Sequence, residues 1–125
     1  MGVSFYPRIE NTDAEWVHNI SGKALSKNFE RLAKLIKEHG HKDLMDYFVE
    51  SEEQLEDFGL EKRSGQEWFN PAEGLAMIDS MIREFYEHRG EFEFPDHLEV
   101  DLKAFKAILD RAAGEGLRWN LGMSF

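Results

Sequence analysis

Glu84 and His88 stand four residues apart in a stretch of helical periodicity, so both side chains project from one face of a helix. A carboxylate beside an imidazole is a minimal acid–base pair, and this is the best-placed pair in the chain for proton transfer or ligand binding. Glu87 lies on a neighbouring face. Glu84 and His88 have neither the spacing of the di-iron helix pattern, a glutamate three residues before a histidine, nor that of the zinc-protease pattern, two histidines four apart around a glutamate. The ordinary reading of Glu84 and His88 is an ion pair on an exposed last turn. The functional alternative is a small-molecule-binding protein or a small enzyme with a cleft near the end of that helix.

The chain has five histidines, at His18, His39, His41, His88 and His97. His39 and His41 flank Gly40, where a helix must end, and two imidazoles around a tight turn could chelate a divalent ion if a third ligand came from elsewhere. The helix dipole accounts for His39 without a metal, and no metal or cofactor is expected. The segment around Gly22 and Lys23 lacks both the first glycine of a phosphate loop and the hydroxyl residue after its lysine. None of Ser4, Ser21, Ser26, Ser51, Ser64, Ser80 and Ser124 sits in a glycine-flanked nucleophile elbow. The acidic clusters lack the alternating Asp/Asn and glycine of a calcium loop. With 0 cysteines, thiolate zinc sites, disulfides and a cysteine nucleophile are excluded together. No reaction signature is present, and the reading leans towards a non-catalytic protein.

The elements that would position these residues are legible. Leu117, Trp119, Leu121, Met123 and Phe125 alternate with polar or small residues, the period of a strand. Val3, Phe5 and Ile9 share a parity around Pro7, which marks a short, bulged or edge strand. Pairing of these two chain ends is the expected sheet nucleus, with a third strand in Trp16–Ile20 or Asp46–Glu50. A first helix spans Gly22 to His39 with Leu25, Phe29, Leu32 and Ile36 on one face, and Gly40 ends it. A middle helix begins with Asn70 as N-cap, Pro71 at its first position and Glu73 three residues past the cap, and it runs to about Arg89. Its apolar face is broad enough either to pack centrally on two sides, which is the expectation, or to join a second copy in a homo-oligomer. A third helix carries Leu98, Leu102, Phe105 and Leu109, with Asp96 and Glu99 at its start or a later start at Asp101. A short fourth helix follows Ser51. The fold class is therefore α+β: a small sheet of paired N- and C-terminal strands against about three amphipathic helices, in one domain of 125 residues.

Charge points to partners. Residues Ser21 to Lys42 hold a balance of +4 within a total of −10, so one basic helix sits in an acidic protein. That total argues against nucleic acid and anionic membranes, and no run approaches the ~20 apolar residues of a membrane span. A cytoplasmic protein is expected. Glu50, Glu52, Glu53, Glu56 and Asp57 form one acidic cluster; Glu91, Glu93, Asp96, Glu99 and Asp101 form another. The leading expectation is an acidic, non-catalytic interaction protein, such as an inhibitor or immunity-like binder of a basic protein. The first cluster would steer the encounter, and Trp68 would anchor it as an exposed aromatic.

Overall fold

The computed structural model describes residues 3–12, 14–41, 47 and 68–124. In chain order they form strand β1 (Ser4–Ile9), a 3-10 turn (Glu15–His18), helix α1 (Lys23–Lys37), helix α2 (Pro71–Glu87), a second 3-10 turn (Arg89–Glu91), helix α3 (Pro95–Gly114) and strand β2 (Trp119–Ser124). The architecture is α+β: the two terminal strands pair antiparallel, and the three helices pack together, with α1 and α3 both in contact with β1. The expected helix after Ser51 falls outside the described residues, as does Asp46–Glu50 apart from Tyr47. The other expected third strand, Trp16–Ile20, is corrected: its first residues form the 3-10 turn instead, closed by a bond from the Val17 N–H to the Ala14 carbonyl (3.1 Å).

Period-two patterning sets the register. Phe5, Pro7 and Ile9 lie opposite Met123, Leu121 and Trp119 on the face that meets the helices. Each strand of a two-stranded sheet is an edge, so Pro7 is accommodated without breaking a central ladder. The other face is not simply solvated. Asn120 is fully buried and accepts a hydrogen bond from Arg8 Nε at 2.8 Å, while the Tyr6 ring lies across Gly122. At the end of the ladder Arg118 donates to both carboxylate oxygens of Glu10, at 2.8 and 2.9 Å. Those bonds hold the Glu10 carboxyl below its ordinary pKa.

Trp119 is where sheet and helices meet. It is 0% exposed, pairs with Ile9 on one side and forms an isolated bridge to Phe69 on the other, with N···O distances of 2.8 and 3.0 Å. Its indole Nε1–H donates to the Asn70 carbonyl at 3.2 Å, and its ring stacks on Tyr47 and meets the Phe105 ring edge-on. Phe69, just ahead of α2, thus ties the start of that helix to the sheet.

The helix ends follow from capping. α2 begins as expected, with Asn70 Oδ1 accepting from the Ala72 N–H at 2.9 Å and Pro71 at the first position. It contacts both α1 and α3, which accounts for the breadth of its apolar face. α3 begins at Pro95 with Phe94 in the N-cap position and no side-chain cap; Asp96 pairs instead with Arg89 at 2.5 Å. α1 has Gly22 at its N-cap, with φ +74°, and glycine has no side chain to cap with. Asp101, buried inside α3 and not at its start, supplies the missing acceptor: its two oxygens take the N–H groups of Gly22 and Leu25, each at 3.1 Å. No other residue fits at Gly22, because a Cβ there would lie 2.0 Å from the Phe5 carbonyl oxygen.

Gly74 of α2 faces Trp119, and a Cβ on it would come within 2.6 Å of the indole and 2.8 Å of Leu109 Cδ1. Replacing a helical glycine by alanine ordinarily gains up to about 1 kcal/mol. Overpacking a rigid aromatic costs about 1–3 kcal/mol. Gly74→Ala is therefore expected to lower unfolding stability by about 1–2 kcal/mol. Urea denaturation measures this, and an unchanged or raised midpoint would contradict the packing described.

Candidate functional site

Four ionisable side chains from three segments converge where α1 and α2 end. Gly40, at φ +83°, turns the chain out of α1, with the His39 N–H on the Ile36 carbonyl at 3.0 Å and the His41 N–H on the same carbonyl at 3.2 Å. The turn presents His39 to α2. On α2, Glu84 sits on the inward side of the last turn and is only 7% exposed. His88 caps that helix through its N–H to the Glu84 carbonyl at 3.0 Å, and the following 3-10 turn brings Glu91 back towards it.

Both imidazoles address the one buried carboxylate. His39 Nε2 lies 2.6 Å from Glu84 Oε1, and His88 Nε2 lies 3.5 Å from Glu84 Oε2. His88 Nδ1 is 2.6 Å from Glu91 Oε2, and Glu91 is paired in turn with Arg31 of α1. The Glu87 carboxylate also approaches: ligand atoms of Glu84, Glu87 and His88 all lie within 4.8 Å of one another. The turn bearing Glu91 is fixed to α1 by Asn28, a buried amide that donates to the Glu93 carbonyl and accepts from the Glu93 N–H, both at 2.9 Å.

The expectation of an exposed helical ion pair is thus corrected for Glu84. Its carboxylate is buried, and the contact to His39 comes from 45 residues away. Periodicity placed Glu84 and His88 on one face, but the arrival of His39 and the role of Asn28 had no local signal. A buried carboxylate is costly unless compensated, and a pair of imidazoles can provide compensation by holding a proton or by sharing a cation.

In the second acidic cluster the carboxylates of Glu91, Asp96, Glu99 and Asp101 are engaged within the fold. Glu91 is held by Arg31 and His88, and Asp96 by Arg89. Glu99 accepts from the Tyr86 hydroxyl at 2.6 Å and pairs with Arg89 and Lys103, each at 3.4 Å. The Tyr86 bond foremost, with the two cations, keeps the Glu99 carboxyl below its ordinary pKa. Asp101 is buried at the start of α1. Of the expected partner-binding residues, Glu50, Glu52, Glu53, Glu56 and Asp57 lie outside the described residues. Trp68 is half-buried, not exposed; the exposed large apolar side chains among the described residues are Tyr86, Phe94 and Val100.

Part of the basic face of α1 is used within the fold. Lys27 Nζ lies 4.6 Å over the Phe94 ring, and a cavity of about 470 Å³ opens beside it between the starts of α1 and α3, lined also by Lys23, His97 and Val100. No helix among the described residues is long and apolar enough to cross a membrane. Comparison with family models, curated proteins and solved structures returns no match for the chain.

The shorter of the two His88 contacts is that of Nδ1 to Glu91, at 2.6 Å against 3.5 Å from Nε2 to Glu84. A neutral ring that keeps the shorter bond carries its proton on Nδ1. Long-range proton–nitrogen NMR at mildly alkaline pH is expected to show His88 protonated on Nδ1, and Glu91→Ala to shift it towards the Nε2-protonated form. An Nε2-protonated ring in the unaltered protein would contradict the arrangement.

Proposed function

We propose that the protein acts by binding, as an acidic, non-catalytic partner of a basic protein, in the manner of an inhibitor or immunity protein in the cytoplasm. The supporting observation is where the charge lies. Of the total of −10, residues 43–67 carry −7, with nine carboxylates against Lys62 and Arg63. The carboxylates of Glu91, Asp96, Glu99 and Asp101 are occupied within the fold by cations or backbone N–H groups. Most of the formal net charge, −7 of −10, therefore falls in one segment of 25 residues between α1 and α2. Such a field accelerates encounter with a positively charged surface by tenfold or more at low salt and discriminates against acidic partners.

The test is capture from the native cell extract at low and high salt. The bait is either the full chain or a variant carrying Glu50→Gln, Glu52→Gln, Glu53→Gln, Glu56→Gln and Asp57→Asn. A basic protein held by the unaltered chain, released by salt and bound about tenfold more slowly by the variant is the expected result. Capture of the same proteins by both baits, or enrichment of no basic protein, would contradict the proposal.

A further inference from the structure

We propose that the cavity between the starts of α1 and α3 binds a small aromatic carboxylate, its ring against Phe94 and Val100 and its charge on Lys23 and Lys27. The site lies outside residues 43–67, on which the charge-based reading above rests, so either can fail without the other.

Three observations carry it. The first is shape. The cavity, of about 470 Å³, has a mainly apolar wall, and its size falls within the roughly 300–1,000 Å³ of sites that take small organic molecules. The second is exposed apolar surface. Tyr86, Phe94 and Val100 are the exposed large apolar side chains among the described residues, and two of them line this cavity, Phe94 at 55% and Val100 at 65% exposure. Apolar groups left in water beside a concave wall mark a surface that another molecule covers. Phe94 also stands in the left-handed backbone region, at φ +49°, where bulky residues are rarely found. Strain of this kind collects at ligand clamps, and here burial of the ring does not offset it. An aromatic ligand covers both side chains, edge-on or offset-stacked against the Phe94 ring.

The third is charge. Lys23 and Lys27, one helical turn apart, both line the cavity, and neither has a carboxylate partner among the described residues. Lys27 Nζ is placed 4.6 Å over the Phe94 ring, so cation and apolar wall adjoin. Two carboxylates also line the cavity, and both are engaged. Asp96 pairs with Arg89, and the buried Asp101 accepts from the N–H groups of Gly22 and Leu25. At physiological salt, exposed charges beyond about 8 Å are largely screened. The two lysines, and not the total of −10, therefore set the local preference for an anion.

The test is titration of cinnamate into the full chain, followed by amide NMR, beside the uncharged cinnamyl alcohol. Saturable binding is expected, with the largest amide shifts at Ala24, Lys27, His97 and Val100, all on the cavity wall. The alcohol, which cannot accept charge-assisted bonds, should bind about tenfold more weakly. Phe94→Gly removes the ring and suits the left-handed backbone, so the variant keeps the fold, which far-UV circular dichroism verifies. It should bind cinnamate about tenfold more weakly. The combined Lys23→Gln and Lys27→Gln replacement, at two exposed positions, should erase the preference for the acid over the alcohol. No saturation at millimolar cinnamate, or largest shifts elsewhere in the molecule, would overturn the proposal. So would equal affinity for acid and alcohol, a preference that survives loss of both lysines, or binding that Phe94→Gly leaves unchanged.

Discussion

A carboxylate buried away from water must find compensation, and in this fold two such carboxylates hold the two ends of α1. Asp101 reaches from α3 to its start, and Glu84 reaches from α2 to its finish. Midway, Asn28 clamps the backbone of Glu93 in the connection between α2 and α3. The first helix is thereby fixed against the other two at three polar points, while Leu25, Leu32 and Ile36 fill the apolar space between them. The apolar contacts supply most of the burial energy, but they are non-directional. The polar contacts set the rotation and axial position of α1, and so decide which of its side chains meet α2.

The two ends are compensated differently. Asp101 is satisfied by fixed backbone N–H groups at the positive end of a helix, an arrangement that needs no ion. Glu84 is met by the imidazole side chains of His39 and His88. One end is therefore structural in character and the other is open to chemistry. The difference arises from residue type alone: glycine at the start of α1 leaves N–H groups to be capped, and histidine at its end offers nitrogen ligands.

What could be read from the sequence is what depends on local periodicity. The alternation over Trp119, Leu121 and Met123, the four-and-three spacing in α1 and the Asn70–Pro71 start of α2 all appear in the structure as read, with the strand beginning at Trp119 and not at Leu117. What could not be read depends on contacts between distant segments. Asp101 was grouped with an acidic cluster, yet it bonds to residues 76 and 79 positions away. Asp96 has the residue type of a cap, but Arg89 competes for it. Asn120 occupies an outward position by alternation and is nonetheless buried, because Arg8 across the strand pair covers and satisfies it. Glu84 was legible as the partner of His88 but not as a buried group, and its contact with His39 comes from a turn 45 residues earlier.

Amide hydrogen exchange at the start of α1 tests this account most directly. First-turn amides of a helix lack intrahelical acceptors and ordinarily exchange quickly. If Asp101 holds the start of α1, the amides of Gly22 and Leu25 are protected as strongly as those of the helix interior. Exchange of these two amides at the rate of exposed backbone would show that the buried carboxylate does not secure the helix, and the placement of His39 against Glu84 would lose its foundation.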